Sequence, residues 1–191
     1  MSRCPEIASG VKQVVAFACL LLIGTHSAAG ELSATEAPRS VELTLPDLDG
    51  QHRDLREFGG RVVLVNFWAS WCTPCVQEMP GIQRLSEQMR DKPFAAVAVN
   101  VAEPASRART AAARLGIDFP VLLDTDSAAF NRWGATVLPT TYVLDGAGMI
   151  RYVGRGPLEW DGADLVELLS GLMGSGDPSA PAVGAGASAP E

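Results

Sequence analysis

The chain has 191 residues, of which 47% are hydrophobic and 19% are charged, a composition typical of a globular protein with a single core. Its formal net charge is -7 and its lysines and arginines are scattered along the chain, which argues against a nucleic-acid-binding protein. Its four cysteines are too few for a scaffold held together by several disulfides.

The N-terminus has the three-part pattern of a secretory signal. Two basic residues, Arg3 and Lys12, accompany the apolar run 14–24, and small residues lead up to Gly30. The apolar run is shorter than the roughly 20 residues of a membrane-spanning helix. Residues 1–30 are therefore predicted to direct export and to be cleaved. The alternative is an uncleaved N-terminal membrane anchor, and in both cases the rest of the chain faces an oxidising compartment.

The rest of the chain divides into three parts by composition. Residues 31–40 are small and polar, and they are predicted to be a linker. Residues 41–173 alternate between strand and helix patterns and are predicted to form the domain. Residues 174–191 are rich in Gly, Ala, Pro and Ser, which predicts a disordered tail.

Strand and helix patterns follow one another along the domain. A β-hairpin is predicted around the turn-rich "PDLDG" at 46–50. The β-branched run 61–67 predicts a buried central strand, and a helix over 73–90 follows it. The later predicted elements are strand 94–101, helix 104–116, strand 119–124, helix 127–134, strands 140–145 and 149–154, and helix 161–173. This order predicts an α/β sandwich with a mixed β-sheet flanked by helices.

The stretch "NFWASWCTPCVQEMP" at 66–80 carries the chemistry. Cys72 and Cys75 are the only cysteines after the signal, and they lie where the central strand ends and a helix begins. A helix N-terminus favours the thiolate of the first cysteine, which is the attacking species, and the second sulfur can then resolve a mixed disulfide. A bridge over so short a loop stabilises a fold little. We therefore predict electron transfer, with Cys72 as the solvent-exposed nucleophile and Cys75 as the buried resolving thiol.

This stretch resembles the active-site region of the thioredoxin superfamily, and specifically of the TlpA/ResA-like thiol-disulfide oxidoreductases of the bacterial periplasm. The resemblance covers about residues 41–173 and implies a thioredoxin-like fold with an N-terminal β-hairpin and a central αβ insertion. Pro139 in "VLPTTYVLDGAGMI" matches the family's cis-proline, Pro80 matches its helix-kinking proline, and Glu103 falls on its active-site glutamate. Asn66 occupies the position of thioredoxin's buried aspartate. Another group must then accept the proton, and Glu103 is predicted to do so.

The resemblance implies a reductase of protein disulfides, with no cofactor and no metal. Its clients would be proteins such as apocytochrome c or copper-site assembly proteins, and a membrane-embedded thiol-disulfide reductase would supply the electrons. The predicted catalytic residues are Cys72, Cys75, Glu103 and Pro139. The residues predicted to contact the client are Trp71, Thr73, Pro74 and Leu138.

Three other functions fit the sequence less well. A zinc site built on the cysteine pair would need two more ligands, yet the exported part has one histidine, His52, and no further cysteine. A peroxiredoxin would need a Pro-x-x-x-Thr-x-x-Cys loop, which is missing. A copper-delivery protein of the Sco type would need a later histidine and a wider cysteine spacing.

Four nearby residues have structural interpretations. Trp68 is predicted to be a core aromatic, and Glu78 is predicted to be a solvated helix residue. Asp124 and Asp126 are predicted to cap a helix.

Overall fold

The structure is a computed structural model that describes residues 30–174, so the predicted signal and the predicted tail beyond Gly174 lie outside the described residues. The strands are β1 (Glu31–Ala34), β2 (Thr44–Pro46), β3 (His52–Asp54), β4 (Val62–Trp68), β5 (Phe94–Val101), β6 (Val121–Asp124), β7 (Thr140–Leu144) and β8 (Ile150–Arg155). The helices are α1 (Thr73–Gln88), α2 (Ala105–Leu115), α3 (Ala128–Trp133) and α4 (Ala163–Gly174), with a 3-10 turn at Leu55–Phe58. None of the helices in 30–174 is long and apolar enough to cross a membrane.

A six-stranded sheet in the order β1-β8-β7-β4-β5-β6 organises the fold. The neighbours β4, β5 and β6 run parallel, while β7, β8 and β1 pair antiparallel with their neighbours. The parallel strands are joined through α1 and α2, as parallel pairing requires a crossover connection. The predicted mixed α/β fold is confirmed, and so is the predicted hairpin, which consists of β2 and β3.

Strand β4 is buried along its whole length and divides the hydrophobic core into two layers. Because side chains alternate along a strand, Leu64 and Trp68 pack on one face with α1 and α4. Val65 and Phe67 pack on the other face with α3 and the 3-10 turn. Trp68 is fully buried, which confirms its predicted place in the core. The turn that follows β4 is therefore fixed from both sides of the sheet.

The stretch 31–40, predicted from its composition to be a linker, contains strand β1. This strand pairs antiparallel with β8, from Glu31 opposite Arg155 to Ala34 opposite Tyr152. Its four residues alternate polar and apolar side chains, and Leu32 packs against the core, but so short an alternation is a weak strand signal, and the strand is held mainly by backbone pairing with the edge of β8. The sheet therefore begins about ten residues earlier than the sequence pattern indicates.

The start of β1 depends on a close backbone approach at Gly30. The N–H of Gly30 donates to the carbonyl of Pro157 at 2.8 Å, and a Cβ at Gly30 would lie 2.5 Å from the carbonyl oxygen of Gly156. Because that oxygen belongs to the backbone, we expect Gly30→Ala, in protein that retains residue 30, to lower the free energy of unfolding by about 1–2 kcal/mol. Chemical denaturation measures this effect. Gly171→Ala is the control, since a Cβ there meets nothing within 4 Å, and equal stability of the two variants would contradict the expectation.

The predicted helix caps are confirmed. The carboxylate of Asp124 accepts the N–H groups of Ala129 and Phe130 at 3.0 and 2.8 Å. Asp126 accepts the N–H of Ala128 at 3.0 Å. These bonds satisfy donors in the first turn of α3 that have no partner within the helix.

Candidate active site

Cys72 and Cys75 form a disulfide at the N-terminus of α1, with their Cα atoms 5.3 Å apart. Cys72 is the N-cap residue of the helix, and its Sγ accepts the N–H of Cys75 at 3.3 Å. That N–H and the helix dipole both stabilise negative charge on the first sulfur. Pro74 stands in the first turn, where its missing N–H costs no hydrogen bond.

Both cysteine residues are buried in the disulfide form, so the predicted solvent exposure of Cys72 is wrong, although Cys72 is the more accessible of the two. Cys75 has no exposed surface, whereas Cys72 retains 6%. Cys72 is largely covered because it lies in the wall of a groove rather than on a convex surface. A disulfide partner must therefore enter the groove to reach Cys72.

This cysteine groove has a volume of about 740 Å³, and its lining includes Trp71, Cys72, Thr73, Pro74, Val137 and Leu138. All four residues predicted to contact a client therefore border it. Trp71 is 61% exposed and Val137 is 48% exposed, and they are the large hydrophobic side chains exposed within residues 30–174. Exposed apolar surface beside a reactive group is typical of a binding site.

The peptide bond between Leu138 and Pro139 is cis, as predicted. The carbonyl of Pro139 accepts the N–H of Gly156 at 3.0 Å, which ties this loop to the end of β8. Leu138 lies in the wall of the same groove as Cys72. The loop before β7 thus reaches the cysteines from a distant part of the sequence.

Glu103 lies next to the cysteine-bearing turn and is buried, with 3% of its surface exposed. Its carboxylate accepts the N–H of Ser70 at 2.7 Å, the hydroxyl of Ser70 at 2.5 Å and the Nδ2 of Asn100 at 2.8 Å. Burial raises its pKa, but these hydrogen bonds and the charge of Arg107 outweigh burial, so that the pKa lies below its usual range. Glu103 is therefore an ionised acceptor that links the end of β5 to the turn before Cys72.

Comparison with known proteins identifies the family. The family model described as Redoxin matches residues 32–169. The chain is 33% identical over 117 residues to the thiol-disulfide oxidoreductase ResA of Geobacillus thermodenitrificans, covering 61% of this chain and 67% of the relative. It is 35% identical over 131 residues to the thioredoxin-like protein YneN of Bacillus subtilis, covering 67% and 76%.

The chain belongs to the Redoxin family and is a ResA-like thiol-disulfide oxidoreductase of the thioredoxin superfamily. A solved thiol:disulfide interchange protein from Chlorobium tepidum superposes with a TM-score of 0.61 at 27% identity, covering 71% of this chain and 99% of that one. Within residues 30–174, no group of three or more His, Cys, Asp or Glu residues is placed to hold a metal ion.

Glu78 is the residue of this ResA-like site that sequence reasoning missed. It was predicted to be solvated, which is wrong, because only 5% of its surface is exposed. Its carboxylate accepts the Nδ2 of Asn66 at 2.7 Å, the N–H of Leu158 at 3.1 Å and the Nε1 of Trp160 at 3.3 Å. Burial raises the pKa of Glu78 to about 7, although these three hydrogen bonds act to lower it.

Helical spacing gives the signal that would have identified Glu78. It follows Cys75 by three residues, and Ile82 follows by four more, so that all three lie on one face of α1. Cys75 and Ile82 are fully buried, and a glutamate between them must also enter the core. Asn66, at the position of thioredoxin's aspartate, donates directly to this carboxylate.

Proposed function

We propose that this protein is an exported reductase of disulfides in other proteins. The observation that carries the proposal is the position of Cys72, at a helix N-terminus and in the wall of a 740 Å³ groove that exposes apolar side chains. A groove of this size is large enough for an extended peptide segment. Trp71 and Val137 line the same groove as Cys72 and offer such a segment apolar contacts.

The N-terminal pattern supports export, since basic, apolar and small residues follow one another over residues 1–30. The family resemblance supports clients such as apocytochrome c or copper-site assembly proteins in the periplasm. It also supports a membrane-embedded thiol-disulfide reductase as the source of electrons. An uncleaved N-terminal segment would hold the same domain at the membrane surface.

The reaction is a two-step exchange of a dithiol for a disulfide. The Cys72 thiolate attacks one sulfur of the client disulfide, that bond breaks, and the client's other sulfur leaves as a thiolate and takes up a proton. Cys75 then loses its proton and attacks Cys72, which releases the second client thiolate. The client gains two electrons and two protons, and the protein is left with the Cys72–Cys75 disulfide until the membrane reductase restores the dithiol.

We infer that Glu78 accepts the proton of Cys75 in the second step. It lies one helical turn after Cys75, both are buried, and a carboxyl with a pKa of about 7 is half ionised at neutral pH. A general base is most efficient when its pKa lies near the working pH. Glu103 has a pKa below its usual range, which favours a fixed acceptor over a proton carrier. We therefore propose that Glu103 is a positioning residue for the cysteine-bearing turn.

The proposed function is tested with a Cys75→Ser protein and a synthetic peptide that contains one intramolecular disulfide. We expect the reduced variant to accumulate a one-to-one mixed disulfide with the peptide through Cys72, because the resolving thiol is absent. The wild-type protein should release the peptide as a dithiol. Mass spectrometry of acid-quenched mixtures distinguishes these products, and Cys72→Ser is the control that forms no adduct by this route.

A second measurement separates a reductase of peptides from a general thiol reagent. We expect the wild-type protein to reduce a peptide disulfide flanked by apolar residues about tenfold faster than hydroxyethyl disulfide, since burial of one large apolar side chain contributes about 1.5–3 kcal/mol. Equal rate constants for the two substrates would show that the groove does not recognise peptide, and the proposal would fail.

A further inference from the structure

A separate hollow of about 280 Å³ borders the cysteine-bearing turn between α1 and α2. We call it the arginine hollow, and its main lining residues are Val76, Arg107, Thr110, Ala111, Arg114 and Leu115. The five residues from α2 recur at intervals of three and four positions, so that they share one face of the helix. Ser70, two residues before Cys72, completes the lining.

Two arginines give this hollow its charge. Six of the twelve arginines in residues 30–174 form ion pairs with carboxylates. For example, Arg84 pairs with Asp161 at 2.6 Å, and Arg109, on another face of α2, pairs with Asp49 at 3.2 Å. By contrast, the guanidinium groups of Arg107 and Arg114, which line the hollow, form no hydrogen bond or ion pair with other side chains or backbone groups in residues 30–174. Arg107 acts on Glu103 through its charge, but three other hydrogen bonds already satisfy that carboxylate.

The segment 104–116 contains three arginines and no acidic residue, in a chain whose formal net charge is -7. The hollow is therefore a cationic surface on a protein that is otherwise acidic. Guanidinium groups bind carboxylates through paired hydrogen bonds, and their charge does not change at any physiological pH.

We propose that the arginine hollow binds an acidic segment of the client, on the flank of the client's reactive cysteine. This inference rests on the proposed reduction of protein disulfides and specifies which clients are preferred. Ser70 and Val76 lie on either side of Cys72 in sequence and line the hollow, while Trp71 and Thr73 line the cysteine groove. A peptide bonded to Cys72 can therefore place apolar residues in the groove and a carboxylate in the hollow.

The shape of the hollow favours a peptide carboxylate over an anionic membrane. A membrane presents a broad plane of phosphates, which would engage exposed basic residues on a convex face. Here the two guanidinium groups border a concave space that also has apolar walls from Ala111 and Leu115. Such a space fits a single Asp or Glu side chain with its methylene groups.

The test compares two disulfide peptides that are identical except for two aspartates or two asparagines beside one cysteine. We expect the reduced wild-type protein to react about fivefold faster with the acidic peptide at low salt, since each exposed ion pair makes only a small favourable contribution. The preference should fall as salt is raised to about 0.5 M, because added salt screens exposed charges. Stopped-flow measurement of the second-order rate constant gives the ratio.

Variants that remove a positive charge test whether the arginine hollow causes the preference for the acidic peptide. In Arg107→Gln/Arg114→Gln we expect the ratio of the two rate constants to fall close to one. Since Arg107 also influences Glu103, Arg114→Gln alone must lower the ratio as well. Arg61→Gln is the matched control, because it removes an exposed arginine next to the first residue of β4, at the end of the strand away from the cysteines, and it should keep the wild-type ratio.

Three results would overturn the inference. The first is an equal rate for the two peptides in the wild-type protein, which leaves the proposed function intact as long as both peptides are reduced. The second is an undiminished ratio in the double variant. The third is binding to phosphatidylglycerol vesicles, but not to phosphatidylcholine vesicles, that is lost in the double variant while the peptide ratio is unchanged. Failure to reduce either peptide, with hydroxyethyl disulfide still reduced, would instead reject the proposed function.

Discussion

Glu78→Gln is expected to slow the release of reduced client from the mixed disulfide by about a hundredfold at pH 7, which is within the usual range for loss of a general base. Glutamine has a similar shape but cannot accept the proton of Cys75. The attack of Cys72 on the client needs no proton transfer to Glu78, so we expect this first step to change much less. Rapid-quench mass spectrometry, which follows the mixed disulfide directly, separates the two steps.

The pH dependence of the release step distinguishes a proton acceptor from a residue that only shapes the core. Because the pKa of Glu78 lies at about 7, release by the wild-type protein should accelerate as the pH rises through 7. In the Glu78→Gln protein, the rate of release should not rise in this way between about pH 6 and pH 8. Glu87→Gln, an exposed position on the same helix, is the matched control and should keep the wild-type profile. If the release rate of Glu78→Gln still rises through pH 7, Glu78 is not the proton acceptor of Cys75.

Glu78→Gln should also change the stability of the protein. The direction of the pKa shift of Glu78 determines the pH range in which the carboxyl destabilises the folded state. The pKa of Glu78 is raised from 4.5 to about 7 in the folded protein, so the folded state binds this proton more tightly than the unfolded state does. The tighter binding of this proton therefore stabilises the folded state fully below about pH 4.5, and this stabilisation is lost as the pH rises through 7. At about 1.4 kcal/mol per pH unit, the loss amounts to about 3 kcal/mol.

We therefore expect the wild-type protein to lose about 3 kcal/mol of stability relative to Glu78→Gln between pH 4.5 and pH 8. Above pH 7 the variant should be the more stable protein, because a neutral amide replaces a buried charge. Urea denaturation at a series of pH values measures the difference. A difference that does not vary with pH would show that the carboxyl of Glu78 titrates normally.

The sequence was sufficient to predict the parts of the site that depend on neighbouring residues. The β-branched run before the cysteines and the helix pattern after them place Cys72 at a helix N-terminus, where the structure has it. Pro139 and Leu138 were also identified, but through the family resemblance, since nothing local connects them to the cysteines. Their approach to Cys72 results from the pairing of β7 with β4.

The parts that were not predicted depend on contacts between distant segments. The helical spacing of Glu78 with Cys75 and Ile82 indicates that Glu78 is buried, although a glutamate on a helix is usually solvated. The groups that satisfy its carboxylate, Leu158 and Trp160, lie 80 and 82 residues later in the chain, and no local pattern reveals them. Strand β1 was missed for the same reason, because its partner β8 lies at the other end of the domain.

Glu103→Gln is expected to have the opposite pH signature to Glu78→Gln. The pKa of Glu103 is lowered in the folded protein, so its ionised form contributes stability that is present above pH 4.5 and is lost as the pH falls through the lowered pKa. Replacing the carboxylate weakens three charge-assisted hydrogen bonds from Ser70 and Asn100. We expect a loss of about 1–2 kcal/mol at pH 7, which should diminish in acid.

The kinetic effect of Glu103→Gln shows whether Glu78 or Glu103 accepts the proton of Cys75. As a positioning residue, Glu103 holds the backbone of Ser70, two residues before the nucleophile, so its loss should slow both steps of the exchange by a similar factor of about three to ten, equivalent to about 1 kcal/mol in each barrier. The step near pH 7 in the release rate should remain, because Glu78 is intact. Ser70→Ala, which removes one of the donors to the Glu103 carboxylate, should give a weaker effect in the same direction. If the step near pH 7 disappears in Glu103→Gln and persists in Glu78→Gln, proton transfer belongs to Glu103, as the sequence alone predicts.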